Sequence, residues 1–425
     1  MPEPSTADMR ARRARLLGPA YRLFYDEPFE PVRGQGVWLY DAAGTPWLDA
    51  YNNVACVGHS HPQVVEAIAR QAATLNTHTR YLHEGILAYA ERLLATLPGA
   101  LGHAMFTCTG SEANDLALRI ATAHTGATGL IITRYAYHGV TSALACASPS
   151  LGEYVRLGAH VRLVDPPAGG DVETGRRFAL GVRAAIADLQ AHGMQPAALL
   201  VDTVFSSDGV FTAPAGFLNE AVDAVRAAGG VFIADEVQPG FGRTGEAFWG
   251  FMRHDVVPDI VTMGKPMGNG HPVAGVAVRP EVMQAFGQAS RYFNTFGGNP
   301  VSMAAASAVL DVLAQESLQH NALQVGQYLR ERLVALRSRH PEIGEVRGAG
   351  LFIGVDLVEP VTRAPAAALA SQVVNGLRRR QVLLSATGPQ AHVLKIRPPL
   401  VFQREHADWL ADRLDAVLTD LKSVR

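Results

Sequence analysis

The sequence is poor in lysine and cysteine, has no excess of charge of either sign and lacks long hydrophobic runs. Its 37 basic and 39 acidic residues give a formal net charge of -2, so no basic field exists to hold nucleic acid or an anionic membrane. No apolar run is long enough to cross a bilayer. We therefore expect neither nucleic acid nor a membrane as a partner.

The three cysteines, Cys56, Cys108 and Cys146, are an odd number and form no CxxC motif. This spacing excludes a disulfide scaffold and the usual zinc sites, so no metal is expected. The first fifteen residues carry four arginines but no apolar core of the kind that a signal peptide has. The expected location is the cytoplasm.

Lysine is the scarcest charged residue. The chain has only three lysines, Lys265, Lys395 and Lys422, compared with 34 arginines. Where any cation would serve, this chain uses arginine. A remaining lysine is therefore a candidate for a role that needs a primary amine, which can deprotonate and attack a carbonyl carbon. Lys422, close to the C-terminus among polar residues, is expected to be an ordinary surface side chain.

The remaining composition is that of a globular protein, with 48% hydrophobic residues in a chain of 425, which is long enough for more than one domain. Short apolar runs typical of buried strands cover residues 104–109, 129–133, 197–202, 230–235, 259–264 and 274–278. Helical patterns lie between several of them, at residues 112–125, 177–191 and 216–228. Continuous apolar strands joined by helices predict an α/β fold with a mostly parallel sheet.

Beyond residue 299, helical patterns at residues 302–313 and 324–339 precede a strand at 350–357 and a helix at 366–380. We predict three regions in the chain. Residues 1–55 form an N-terminal segment that packs with the small domain, residues 56–315 form a large domain, and residues 316–425 form a smaller α/β domain.

Two charged residues follow buried strands, where α/β sheets place their ligands. Lys265 lies in a glycine-rich loop that lets backbone and ligand approach closely; the alternative is a lysine in a surface turn. Asp235 ends an apolar strand and could hold a pyridinium nitrogen protonated. Its alternative role is a helix cap or a structural ion pair.

Two further motifs also follow strands. Gly110 and Ser111 open a helix, where free backbone N–H groups and the helix dipole can bind an anion; a serine there can also be a simple N-cap. Tyr137 could stack on a flat ring or pack in the core. Lysine, aspartate, anion cradle and aromatic platform are together the four requirements of a pyridoxal phosphate site.

At these residues the sequence resembles the class III aminotransferases, which have the fold-type I pyridoxal phosphate architecture. The most specific stretch is residues 234–245, ADEVQPGFGRTG. The resemblance implies that Lys265 bonds covalently to the cofactor, that Asp235 contacts the pyridine nitrogen and that Tyr137 stacks on the ring. The complete cofactor-binding set implied is Gly110, Ser111, Tyr137, His138, Asp235, Val237, Gln238, Lys265 and Thr295.

Thr295 belongs to this set because a threonine of the family reaches the cofactor phosphate from the neighbouring subunit. The resemblance therefore implies a homodimer with shared active sites, and a tetramer remains an open alternative. Within the family, the sequence is most similar to the ethanolamine-phosphate and phosphohydroxylysine phospho-lyases. The stretches that carry this similarity are residues 53–55, 58–59, 76–83, 350–356, 384–385 and 388–389.

Four residues are candidates for substrate binding. Transaminases of this class place an arginine three residues before a Pro-Pro-Leu turn to hold a carboxylate, whereas this chain has Lys395, a point charge that suits a phosphate. A plain surface lysine is the alternative, and Arg397 could partly restore a carboxylate clamp. Arg80 could contact the phosphate or form an ion pair. Asp202 occupies a position where the family commonly has glutamate, and this difference leaves the identity of the substrate undecided.

The preferred hypothesis is β-elimination of phosphate from an amino phosphate such as O-phosphoethanolamine. The alternative is transamination of an amine or amino acid with a 2-oxo acid, since both reactions share the first steps and the same cofactor residues. A third hypothesis is a cofactor-binding protein without catalysis, against which the intact Lys265 argues. The partner expected in the first two cases is a small amine, phosphorylated under the preferred one.

Overall fold

A computed structural model describes residues 5–152 and 154–423. The strands in this part of the chain are β1 (Arg33–Gln35), β2 (Trp38–Tyr40), β3 (Pro46–Asp49), β4 (His103–Thr107), β5 (Gly129–Thr133), β6 (Val161–Val164), β7 (Pro196–Asp202), β8 (Val231–Asp235), β9 (Ile260–Met263), β10 (Ala274–Val278), β11 (Ile343–Ala349), β12 (Phe352–Leu357), β13 (Val382–Leu383), β14 (Ser385–Thr387) and β15 (Val393–Ile396).

The α-helices are α1 (Thr6–Leu17), α2 (Pro62–Thr74), α3 (Glu84–Leu94), α4 (Gly110–Thr125), α5 (Ser142–Ala145), α6 (Thr174–Ala191), α7 (Asn219–Ala227), α8 (Pro280–Ala289), α9 (Pro300–Gln315), α10 (Leu318–Leu336), α11 (Ala367–Arg379) and α12 (Arg404–Ser423). Short 3₁₀ helices cover Pro149–Leu151, Gly250–His254 and Lys265–Gly268.

The largest sheet has seven strands in the order β4-β10-β9-β8-β7-β5-β6. Its pairs from β9 to β6 are parallel, whereas β10 is antiparallel to both of its neighbours. The prediction of an α/β fold with a mostly parallel sheet is confirmed. All six apolar runs form strands of this sheet, and β6 is the strand that the sequence patterns did not indicate.

Strand β7, in the interior of the sheet, has apolar residues on both faces because both faces of the sheet are covered. Leu199 and Val201 join one hydrophobic core, while Ala198 and Leu200 join the core on the opposite face. Successive side chains of a strand point to opposite faces, so a doubly covered strand needs an unbroken apolar run. This coverage of both faces explains why the strand patterns in the sequence are continuous apolar runs and do not alternate with polar residues.

Two four-stranded sheets lie outside the large one, in the orders β1-β2-β3-β13 and β11-β12-β15-β14. In the first, Leu48 of β3 pairs in parallel with Val382 of β13. The N-terminal strands therefore share a sheet with the C-terminal part of the chain. The boundaries at residues 55 and 315 stay a prediction.

No single α-helix among residues 5–152 and 154–423 has both the length and the apolar composition that crossing a bilayer requires. The pair α9 and α10 meets the criterion only when joined across a bend of 60°. Most of α9 is buried in the core of the protein.

The large sheet brings the sequence motifs to one edge. Strands β5, β7, β8 and β9 are parallel, and the segments that follow them meet at their carboxyl ends. Helix α4 begins beside these ends. Residues that are far apart in sequence consequently line one cavity.

Candidate active site

A cavity lies at the carboxyl edge of the sheet. Its walls come from the first turns of α4 and from the segments after β5, β7, β8 and β9. The lining residues are Gly110, Ser111, Asn114, Tyr137, His138, Gly139, Asp202, Asp235, Val237, Gln238 and Lys265. The structure thus brings together most of the residues singled out in the sequence.

Asp235 is buried at the end of β8, and three donors hold its carboxylate. Its Oδ2 accepts hydrogen bonds from His138 Nδ1 at 2.8 Å and from Asn114 Nδ2 at 2.9 Å. Its Oδ1 accepts the backbone N–H of Val237 at 3.1 Å. These donors fix the orientation of the carboxylate and stabilise its negative charge.

Asn114 was not anticipated from the sequence, although it makes three hydrogen bonds at the centre of the site. Besides Asp235, its Nδ2 donates to the carbonyl of His138 at 2.9 Å, and its Oδ1 accepts the hydroxyl of Thr262 at 2.6 Å. Asn114 lies four residues after Gly110 in α4, and residues at this spacing share a helix face. That spacing is the signal that could have identified it.

His138 is buried beside Asp235 and is oriented by that contact. Because a carboxylate only accepts hydrogen bonds, the proton of the shared bond is on His138 Nδ1. The Nε2 of the same ring is buried and has no hydrogen-bond partner within the described part of the chain. Among the described residues, the His138 ring therefore makes a hydrogen bond only through Nδ1, to Asp235.

Lys265 follows β9 and begins a short 3₁₀ helix whose second residue is Pro266. Burial, and then the positive charge of Arg397, lower the pKa of Lys265 to about 8, while Asp235 and Asp202 act in the opposite direction. A lysine with such a pKa carries a free amine in a sizeable fraction of molecules near neutral pH. This amine can act as a nucleophile or as a base.

The first turn of α4 begins at Gly110, where the sequence predicts an anion cradle, and the binding of an anion there stays a prediction. The N-cap is Thr109, whose side chain accepts the N–H of Glu112 at 3.2 Å, so Ser111 is not the cap residue. Ser111 Oγ accepts the N–H of Val140 at 3.2 Å. A Cβ at Gly110 would lie 2.9 Å from Val237 Cγ2, so only glycine permits this approach.

Arg397 contacts the cavity through Gln238. Its Nη1 donates to Gln238 Oε1 and, at 3.0 Å, to Asn53 Oδ1. Its guanidinium carbon lies 4.4 Å from the centre of the Tyr51 ring. Gln238 in turn donates from Nε2 to Ser206 Oγ at 2.5 Å. Arg397, Asn53 and Gln238 are all buried, which makes this contact rigid.

Lys395 is buried in β15 with a relative exposure of 6%, and the described residues offer it neither an ion pair nor a hydrogen bond. Its Nζ lies 5.7 Å from the centre of the Phe352 ring. Burial, and then Arg397, lower the pKa of Lys395 well below its usual range, whereas Asp202 and Asp208 counteract this effect. An amine in these surroundings would gain from the approach of an anion.

Asp202 ends β7 directly beside Asp235, with which it is paired in register. Its carboxylate accepts the backbone N–H groups of Val204 at 3.0 Å and Ser206 at 3.1 Å. Burial and the nearby negative charge of Asp235 raise the pKa of Asp202. Its carboxyl group therefore faces the cavity without belonging to an ion pair among the described residues.

Arg80 and Thr295 are outside this cavity. Arg80 is exposed and lies 3.8 Å from the centre of the Phe293 ring, two residues before Thr295, which is also exposed. The structure of the single chain thus separates both residues from Lys265. Their roles at a cofactor or substrate phosphate stay a prediction.

The cavity fits pyridoxal 5'-phosphate. Lys265 supplies an amine, Asp235 supplies a fixed carboxylate for a pyridine nitrogen, and Tyr137 supplies an aromatic face that is 37% exposed. Gly110 opens α4, and the free N–H groups at a helix N-terminus are where a phosphate binds best. These four groups line one cavity, as the cofactor requires.

Comparison with known proteins agrees with this geometry. Residues 25–418 match the model of the family described as aminotransferase class-III. A solved phospholyase from Arthrobacter, in complex with phosphoethanolamine, is 47% identical and superposes with a TM-score of 0.94. The match covers 97% of this chain and 99% of that one.

Two curated relatives have different names. An alanine–glyoxylate aminotransferase 2-like protein of Drosophila melanogaster is 43% identical, over 92% of this chain and 83% of its own. An ethanolamine-phosphate phospho-lyase homolog 1 of Caenorhabditis elegans is 38% identical, over 98% and 94% respectively. The cofactor is pyridoxal 5'-phosphate, and the chain belongs to the class III aminotransferase family.

Proposed function

We propose that this protein eliminates phosphate from a small amino phosphate such as O-phosphoethanolamine. The observation that carries the proposal is Lys395, a buried amine without an anionic partner among the described residues, close to the charges of Asp202 and Arg397. A lysine suits a phosphate as a compact point charge, whereas a bidentate carboxylate clamp needs arginine. The similarity to a phospholyase in complex with phosphoethanolamine supports the same assignment.

The proposed reaction consumes one water molecule. A proton leaves the carbon that bears nitrogen, and the bond between the adjacent carbon and the phosphate oxygen breaks with its electron pair on phosphate. Water then hydrolyses the released unsaturated amine. O-Phosphoethanolamine and water thus become acetaldehyde, ammonia and inorganic phosphate, with no net oxidation or reduction.

Different residues of the chain have different roles in the proposed elimination. Pyridoxal phosphate, when bound, withdraws electrons from the carbon next to the substrate nitrogen and makes its proton acidic. Lys265 takes that proton, since its lowered pKa leaves it able to act as a base. Asp235 holds the pyridine nitrogen, Gly110 and Ser111 hold the cofactor phosphate, and Lys395 attracts the phosphate of the substrate.

Transamination is the second candidate. Arg397 is held rigidly by Asn53 and Gln238 and offers a guanidinium that could bind a carboxylate. The Drosophila relative, named after an aminotransferase, supports this reading. The two reactions differ in the fate of the electrons, because transamination returns a proton to the cofactor and passes the amine to a 2-oxo acid.

The direct test is incubation of the purified holoenzyme with O-phosphoethanolamine in the absence of any 2-oxo acid. We expect phosphate, ammonia and acetaldehyde in equal amounts. A Lys265→Ala variant should release none of them. If no amino phosphate releases phosphate while amine transfer to pyruvate proceeds, transamination is the function.

A Lys395→Arg variant tests the role of Lys395 in the same assay. Arginine keeps the charge but is larger and buried there, so we expect kcat/KM for the phosphorylated amine to fall about tenfold or more. A Lys422→Arg variant is the matched control, since Lys422 is partly exposed and contacts the carbonyl of Arg339. Equal activity of the two variants would contradict a phosphate role for Lys395.

We also propose a homodimer in which Arg80 and Thr295 of each chain complete the site of the other, with a tetramer left open. Both residues are exposed and lie outside the cavity of their own chain. The surface around them includes the exposed side chains of Tyr81, Leu82 and Phe296. A cytoplasmic location and the proposed domain boundaries stay predictions.

A further inference from the structure

Ser206 connects three parts of the active site, although it does not line the cavity itself. Its hydroxyl oxygen accepts the Nε2–H of Gln238 at 2.5 Å, and its backbone N–H donates to Asp202 Oδ2 at 3.1 Å. Its carbonyl accepts the hydroxyl of Thr387 at 3.1 Å. The residue is fully buried, with a relative exposure of 0%.

Arg397 decides which way the amide of Gln238 faces, and Ser206 holds the other end of that amide. A guanidinium has only donors, so the Oε1 of Gln238 must face Arg397. The Nε2 then faces Ser206, whose hydroxyl oxygen is the acceptor it uses. Of the two N–H bonds on Nε2, this contact uses one and leaves the other available to the cavity that Gln238 lines.

Ser206 also links this amide to the strand that precedes Gly388. Thr387 is the last residue of β14, and Ser385 of the same strand pairs with Lys395 of β15. Ser206 therefore connects Asp202 and Gln238, which line the cavity, to the strand pair that carries Lys395 and directly precedes Arg397.

We propose that Ser206 is a positioning residue that sets the affinity for the anionic group of the substrate. It acts through Gln238 and Arg397, and through Thr387 on the strand pair that holds Lys395. The proposal rests on the function proposed above for these cations, and it assigns to Ser206 no contact with substrate or cofactor.

Removal of the hydroxyl has a defined consequence. In Ser206→Ala the backbone contacts to Asp202 and Thr387 remain, because both use main-chain atoms, whereas the side-chain hydrogen bond with which Ser206 lowers the pKa of Asp202 is lost. The Nε2 of Gln238 loses its acceptor while still buried, and an unsatisfied buried donor is costly. The amide of Gln238 is then held through Oε1 alone, so Gln238 and the guanidinium of Arg397 that it contacts are less firmly fixed.

The test compares Ser206→Ala with Ser207→Ala. Ser207 is the adjacent residue and its side chain makes no hydrogen bond within the described chain, so the same substitution there is a matched control. For Ser206→Ala we expect KM for the phosphorylated amine and Ki for inorganic phosphate to rise about tenfold. We expect kcat to change less than about threefold, and Ser207→Ala to match the wild type.

A double-mutant cycle with Gln238→Ala separates positioning from a general structural role. If Ser206 acts through Gln238, the double variant has the same KM as Gln238→Ala alone. Full additivity of the two effects would overturn the proposal. So would equal KM values for Ser206→Ala and Ser207→Ala, with melting temperatures measured to verify that both variants fold.

Failure of the proposed function gives a different result. If the wild type transfers amines and releases no phosphate, the comparison uses KM for the amino acid donor, whose carboxylate Arg397 would hold. A raised KM in Ser206→Ala then supports the positioning role although the lyase assignment fails. An unchanged KM in that assay overturns the role itself.

Discussion

Lys265 and Lys395 are both amines with lowered pKa values, but their surroundings give them different chemistry. Lys265 lines the cavity, and its pKa of about 8 makes the free amine accessible near neutral pH. Lys395 lies deeper and is surrounded by the charges of Arg397, Asp202 and Asp208. The first is suited to move protons, and the second to attract an anion when it is protonated.

The lowered pKa of Lys265 predicts how its reactivity depends on pH. In the apoenzyme, acetylation of Lys265 by acetic anhydride should rise with pH with a midpoint of about 8, because only the deprotonated amine reacts. Peptide mass spectrometry can follow this residue easily in a chain with three lysines. In Arg397→Met the midpoint should move up, since Arg397 lowers the pKa, and in Asp202→Asn it should move down. A midpoint near the usual lysine value in the wild type would contradict the prediction.

Single residues also show which parts of the site a sequence can reveal. Lys265 and Asp235 could be predicted because each follows an apolar strand that is easily recognised. Asn114 and Ser206 could not be predicted as partners, because their hydrogen bonds to Asp235 and Gln238 span 121 and 32 residues. Such contacts depend on how the strands are ordered in the sheet, which the local pattern does not contain.

At the scale of elements, the strands of the large sheet were predictable where burial on both faces forces a continuous apolar run. Strand β6 was not predicted, because it is four residues long, contains Arg162 and lies at the edge of the sheet. Helix α4 was predicted to begin at Glu112 and begins at Gly110. The difference matters because the first two residues of the helix are the ones predicted to bind the cofactor phosphate.

The packing of α4 against the segment after β8 predicts the effect of a methyl group. In Gly110→Ala the new Cβ would lie 2.9 Å from Val237 Cγ2 and push the first turn of the helix away from the cofactor phosphate. We expect cofactor affinity to fall about tenfold, measured by absorbance titration of the apoenzyme. Gly99→Ala is the control, since no atom lies within 4 Å of a Cβ at that position. Equal affinity of both variants would show that the close approach does not matter.

At the scale of the whole molecule, four predicted site residues do not line the cavity of the single chain: Lys395 and Arg397 are buried, whereas Arg80 and Thr295 are exposed. Arg80 and Thr295 lie on a surface with exposed side chains of Leu82, at 100%, and Phe296, at 68%. Exposed apolar groups of this size are typical of a surface that another chain covers. A second copy that covers it would bring these residues to a shared site.

Mixed dimers test this arrangement. Chains with Lys265→Ala should be inactive alone, and chains with both Arg80→Ala and Thr295→Ala should have little activity. If the residues act across the interface, a mixed dimer contains one intact site, and an equal mixture should recover about a quarter of the wild-type activity per chain. Absence of recovery after co-expression, or a monomer in size-exclusion chromatography, would contradict the arrangement.

The parallel pairing of β3 with β13 has a consequence for the order in which the protein folds during synthesis. All seven strands of the large sheet have been synthesised once Val278 is added, more than a hundred residues before Val382 arrives to pair with Leu48. Domains generally fold as units while the chain is being made. Lys265 and Asp235 can therefore be brought together while the chain is still on the ribosome. The N-terminal sheet cannot be completed before β13 is synthesised. Most of the predicted cofactor residues are therefore in place before the candidate substrate residues Lys395 and Arg397 are synthesised.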